Sequence, residues 1–131
     1  MKKIYFLTVF FVATNCFALT SDEFESKFTD LNLKRQAASM NFYFNSKDYE
    51  DPNVSEEDKL KSKQGWCQLT KARLNLLEFT SNNFSEYKDF VKRTNQEDDS
   101  TLADMKKFSR AQHGSYTRLK DQLKNTEYKC D

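Results

Sequence analysis

Three cysteines (Cys16, Cys67, Cys130) and one histidine (His113) are the side chains best suited to hold a soft metal or attack a carbonyl. They do not assemble into a recognisable site. A structural zinc wants four ligands at short, paired spacings, and neither a C-x-x-C nor a second histidine is present. His113-Gly114-Ser115 places a base two residues from a hydroxyl. Positions i and i+2 face different sides of a helix, however, and no G-x-S-x-G elbow surrounds them. The acidic stretches at 48–51, 56–58 and 97–99 invite calcium, yet a twelve-residue loop counted from Asp48 ends on Lys59, and one from Asn95 on Lys106. Neither end is the glutamate such a loop needs. Paired carboxylates for glycoside cleavage need a cleft, and no glycine-rich phosphate loop exists. The expectation is a non-catalytic protein with no metal and no cofactor.

The cysteines carry a different message once the N-terminus is read. Lys2 and Lys3 precede an apolar run from Ile4 to Ala13, too short for a membrane span, and Cys16-Phe17-Ala18 has the small-x-small form of a cleavage site. Residues 1–18 read as a signal peptide removed before Leu19, leaving a single domain over 19–131. Lipid anchoring at Cys16 fits poorly, because Asn15 stands where a small residue belongs. Two cysteines then remain in an exported chain, periplasmic or secreted, and they should pair as Cys67–Cys130.

Bulk composition narrows the partners. The 20 acids and 21 bases nearly cancel, so binding to nucleic acid or an anionic membrane by net charge is not expected, nor is stable membrane insertion after signal removal. Twelve Phe, six Tyr and one Trp provide a core that a disordered chain would lack.

Three long segments show helical periodicity. The first opens with a capping-box pattern at Thr20 and Glu23 and runs to between Asn45 and Asp48. Phe24, Phe28, Leu31, Ala38 and Phe42 form one stripe along it, interrupted by Arg35, which should snorkel or meet an acid. Leu33, Ala37, Met40 and Phe44 form a second, parallel stripe. Pro52 breaks the chain after Asp51. Ser55 and Asp58 cap a short charged segment, with Gly65 either ending it or merely weakening a continuous helix. The second long helix is expected from Trp66 to Asn95, because the repeat Thr70, Leu77, Phe84, Val91 crosses the poor helix formers Ser81-Asn82-Asn83 without changing phase. After a turn at 95–100 capped by Asp99 or Ser100, the last helix carries Leu102, Met105, Ser109, Gln112, Tyr116, Leu119 and Leu123 at alternating three- and four-residue steps.

Folding the last two helices together about residues 97–98 sets Leu77 on Leu119, Thr80 on Tyr116, Phe84 on Gln112, Tyr87 on Ser109 and Val91 on Met105. The same register brings Cys67 to Cys130. The expected fold is all-α: an elongated antiparallel three-helix bundle, built as a coiled-coil-like hairpin plus the N-terminal helix, with one disulfide.

One place looks like a surface for binding. Phe42, Tyr43 and Phe44 diverge by about 100° each on a helix, so not all can face one core. Tyr43, Phe44, Tyr49 and Trp66 are therefore candidate protein-binding residues, against the plainer possibility that Tyr43, Tyr49 and Trp66 close the bundle end around the disulfide. The functional expectation is an exported helical protein that binds another protein, as an inhibitor, an immunity-type protein or a chaperone-like factor. The alternative is a carrier of a lipid or other apolar ligand between its helices. Two N-glycosylation triplets, at Asn53 and Asn83, have meaning only in a eukaryotic source.

Overall fold

The computed structural model describes residues 19–47 and 51–130, and the expected signal peptide with Cys16 lies outside them. Among the described residues four helices follow one another: α1 (Ser21–Asn45), α2 (Glu56–Asn82), α3 (Phe84–Arg93) and α4 (Leu102–Leu123). The fold is an all-α antiparallel bundle of three long helices, with α3 as a short fourth piece.

The first helix begins where its capping box demands. Thr20 Oγ1 accepts the Glu23 N–H at 3.3 Å while the Glu23 carboxylate accepts the Thr20 N–H at 2.9 Å. Those bonds hold the Glu23 carboxyl below its ordinary range. The crossover after Asn45 is tied to α2 by the Lys47 N–H, which donates to the buried Ser62 Oγ at 2.7 Å. Ser55 caps α2, which continues through Gly65 without a break. A Cβ at Gly65 would sit 3.5 Å from the Phe42 ring, so helix continuity there puts α1 and α2 in close contact.

The unbroken middle helix over 66–95 is corrected by the structure. The helix stops at Asn83, whose backbone (φ −121°, ψ 49°) leaves the helical region. The cause is local competition for carbonyls. Thr80 Oγ1 donates to Leu76 O and Leu77 O, Ser81 Oγ to Glu78 O, and Asn83 Nδ2 to Phe79 O at 2.8 Å. Three polar side chains thus bond back into the last turns. Beyond the break, α3 folds towards α1 rather than continuing the rod. Phe79 stacks on Phe24 (5.2 Å), yet Phe90, eleven residues later, lies 6.1 Å from the same ring and 4.9 Å from Phe28. In a straight helix Phe90 would be roughly 16 Å further on. Phe24, Phe90 and Val91 form one buried cluster, and Arg93 reaches Glu25 at 3.6 Å.

The hairpin register changes with it. Cys67 lies beside Tyr116, Leu119 and Leu123, which the expected register would set opposite Thr80, Leu77 and their neighbours. Helix α4 packs along α2 and not along α3. The layers Leu77–Leu119, Thr80–Tyr116, Phe84–Gln112, Tyr87–Ser109 and Val91–Met105 therefore do not form. The last helix spans its expected seam, Leu102 to Leu123, and no more. It ends at Leu123, where Thr126 donates back to the Leu123 carbonyl through both its N–H (3.0 Å) and its hydroxyl (2.8 Å). Its N-cap is Thr101 rather than Asp99 or Ser100, with Asp104 completing a capping box.

The Cys67–Cys130 disulfide nevertheless forms, with Cα atoms 5.5 Å apart and both residues buried. The chain after Leu123 turns across α2, where Gln64 Nε2 donates to the Lys129 carbonyl at 2.7 Å. Tyr128 shares a hollow with Asn41 and Phe42 of α1, and Cys130 shares another with Leu31 and Lys34. Helices α1 and α4 both pack on α2 and scarcely on each other. The tail fills one side of the gap between them. Trp66, its ring tilted against that of Phe42 at 5.1 Å and packed against the disulfide cluster, fills another part of it.

Candidate functional site

Helix α1 carries two apolar stripes, and the bundle buries only one. Phe24, Phe28, Leu31, Ala38 and Phe42 face α2 and α3. Leu33, Met40 and Phe44 each lie two residues past a member of that stripe, about 200° round the helix, which places the second stripe roughly opposite the first. The structure leaves it in water: Leu33 is 58 % exposed, Met40 60 % and Phe44 81 %, with Ala37 exposed between them. Tyr43, on the flank of this stripe, is 67 % exposed. Four large apolar or aromatic side chains on three turns of one helix make a contiguous patch, which is uncommon on a chain that stays alone.

The four candidate residues separate accordingly. Phe44 and Tyr43 belong to the exposed face, with the Tyr43 ring 5.5 Å from that of Phe42. Trp66 is half-buried between Phe42 and the disulfide cluster, and the Arg73 guanidinium covers its ring at 5.4 Å. It packs inside the bundle rather than on the exposed face. Tyr49 lies outside the described residues. Leu33 and Met40 are visible as stripe members in the sequence but not as a surface. The signal that marks them is angular: a stripe opposite a first stripe on the same helix cannot share its partner.

The electrostatic setting of the patch is plain. From Leu31 to Lys47 there are three bases, Lys34, Arg35 and Lys47, and no acid. Lys34 bonds Asp30 one turn back at 2.9 Å, and Arg35 donates twice to Asn32 Oδ1 at 3.2 and 3.0 Å, so its partner is an amide and not an acid.

Away from α1, the most perturbed groups are structural. Tyr87 Oη donates to Asp98 Oδ2, and Lys88 Nζ donates to the Asp98 and Ser100 carbonyls. Burial first, then the Asp98 carboxylate, push the Tyr87 phenol far above its usual value. Burial would raise Asp98, but hydrogen bonds from Ser100 and Tyr87 outweigh it and hold the carboxyl low. These bonds pin the 94–101 connection onto α3. His113 is exposed on α4. Among the described residues, no group of three or more His, Cys, Asp or Glu side chains is arranged to hold a metal. No protein family, curated protein or solved structure matches the chain.

Proposed function

We propose that this is a non-catalytic protein-binding protein whose docking surface is the outer face of α1. The observation that carries the reading is the exposure of Leu33, Met40, Tyr43 and Phe44 on one face of a helix whose opposite face is already packed. Aromatic and methionine side chains are the types that dominate the centres of protein interfaces, and lysines at the edge suit a rim. A partner helix laid along this face would meet anchors at Leu33, Ala37, Met40 and Phe44, the spacing of helix-in-groove recognition. Inhibitors, immunity-type proteins and chaperone-like factors all act in this way, by covering a partner rather than by chemistry.

Export belongs to the same proposal. A buried disulfide closing 63 residues of chain fits an oxidising compartment, the periplasm or the exterior. No helix among the described residues is long and apolar enough to cross a membrane. The carrier alternative draws less support. The hollow between α1 and α2 is lined by Asn41, Asn45, Lys61, Ser62 and Gln64 beside Phe42, a polar wall for an apolar cargo.

The test is capture from an extract of the exported fraction. The native chain retains a stoichiometric protein partner, and Met40→Glu with Phe44→Glu loses it while keeping the same helix content. Retention of that partner by the double variant refutes the assignment of this face.

A further inference from the structure

We propose that the cavity between α2 and α4, on the side away from the tail, binds a small organic anion: a carboxylate or phosphate ester carried on an apolar ring. The tail closes the side of α2 that holds Gln64 and Gln68. Trp66 is two residues, about 200° round the helix, from each of them, so it stands on the opposite side. Beside it lies a cavity of about 270 Å³, lined by Lys63, Trp66, Arg118, Leu119 and Gln122. Trp66 and the buried Leu119 supply apolar surface. Lys63, one turn before Trp66, and Arg118 on α4 bring one cation from each helix, and Gln122 adds an amide. No acid lines the cavity. None of its residues belongs to α1, so this site and the outer face of α1 stand or fall separately.

Charge selects the ligand. Among the described residues, Lys63, Arg73 and Arg118 form no ion pair with a carboxylate. Glu56, two turns before Lys63, is bound by Lys59 at 2.8 Å, and Asp121 shares with Arg118 a separate hollow beside His113. Arg73 follows Trp66 by two turns and lays its guanidinium 5.4 Å from the indole centre. Arg35 extends the same charge from α1. Phe42 meets Trp66, so one heptad back on α1 and one heptad on along antiparallel α2 set Arg35 opposite Arg73. Arg35 is half-buried, and its printed bonds go to the Asn32 amide. Four bases of one sign thus border a groove with apolar walls, an arrangement that focuses positive potential and that an anion relieves. Size sets the rest. A volume of 270 Å³ lies just under the range of pockets for drug-sized ligands, which leaves room for a ring and one acid group, about ten heavy atoms.

Trp66 is the sole tryptophan of the chain, so its fluorescence and its indole N–H resonance report on the cavity directly. Phenylacetate, phenyl phosphate, neutral phenylacetamide and inorganic phosphate are titrated into the disulfide-intact protein at constant ionic strength. The two ring-bearing anions should perturb Trp66 saturably, with a Kd on the order of 100 µM for ligands of this size. Whichever of them binds tighter identifies the acid group. Phenylacetamide and inorganic phosphate should each bind at least about tenfold more weakly, since one lacks the charge and the other the ring. Lys63→Gln and Arg118→Gln should each weaken the anions by about five- to tenfold, the scale of one charged contact at a partly solvated site. Both variants keep the native thermal melt by circular dichroism. Lys120→Gln, whose ammonium lies over Tyr116 instead, leaves binding unchanged. Absence of saturation by either ring-bearing anion overturns the proposal, as does phenylacetamide binding equally well. Inorganic phosphate binding as tightly as phenyl phosphate overturns the apolar half of the site. A hexaglutamate peptide that binds where both ring-bearing anions fail makes the groove a surface for acidic protein and overturns the small-ligand assignment.

Discussion

Asp98 does for the 94–101 connection what a cap does for a helix. Its carboxylate accepts the Ser100 N–H at 2.7 Å and the Tyr87 hydroxyl, while Lys88 holds the backbone on either side. Because the folded carboxyl titrates below its ordinary 3.8, its contribution is complete above that value and is lost as pH falls through the lowered one. Urea unfolding at neutral pH and below pH 4 should show this. Asp98→Asn lowers stability at neutral pH by about 1 kcal/mol or less, since the group is partly solvated, and the gap to the native protein narrows in acid. A gap that widens in acid contradicts the assignment. Asn95 is the one non-glycine residue of positive φ (57°) among the described residues, at the end of α3. Gln96 N–H bonds Val91 O and Asn95 N–H bonds Lys92 O, a Schellman arrangement. Asn95→Val should cost about 1–2 kcal/mol in thermal or urea unfolding, because a β-branched side chain clashes in that conformation. At Gly114 the sign reverses. A methyl group added there would have no atom within 4 Å, so Gly114→Ala on exposed α4 should stabilise by about 0.5–1 kcal/mol.

At the scale of elements, the sequence announces helix starts better than helix ends. Thr20 and Ser55 are legible because a capping hydroxyl bonds within three residues of itself, a local event. The break at Asn83 is marked by its poor helix formers, yet the unbroken heptad masks it. Periodicity reports which residues are apolar; it does not say whether one partner serves them all. Thr70 and Leu77 ride on α2, whereas Tyr87, Phe90 and Val91 close over Phe24 and Phe28. Helix α1 poses the converse problem. Both of its stripes are visible in the sequence, and only the folded chain shows that one of them is left without a partner inside the bundle. Substitution separates the two faces. Phe24→Ala, at a fully buried ring stacked on Phe28 and Phe79, should cost about 3–5 kcal/mol. Leu33→Ser and Met40→Glu should change the stability of the isolated chain by no more than about 0.5 kcal/mol. Equal costs on both faces would mean that the outer stripe is already packed.

The whole molecule is held by a strap. Helix α2 is the centre, α1 and α4 lie on it, and the tail from 124 to 130 crosses between them to end at the disulfide. The cysteine pairing is legible in the sequence, but helix register is not what achieves it: α4 passes Cys67 at Tyr116 and Leu119, and the tail after Leu123 turns back to bring Cys130 to it. Closing a 63-residue loop is worth about 4 kcal/mol by chain entropy. Cys67→Ser/Cys130→Ser should therefore lower unfolding free energy by about 2–4 kcal/mol, with the first loss of amide-exchange protection at Gln64, Tyr128 and Lys129, where the tail is tied.

The claim on which the function rests is that the outer face of α1 is covered in its working state. Radical footprinting of side chains, in the compartment where the protein resides and again in dilute purified form, addresses it directly. Phe108 on α4, 57 % exposed, is the internal standard. Leu33, Met40 and Phe44 should be modified freely in the dilute chain and shielded in place, while Phe108 reacts equally in both. Met40 and Phe44 reacting as fast in place as in dilute solution would contradict the claim.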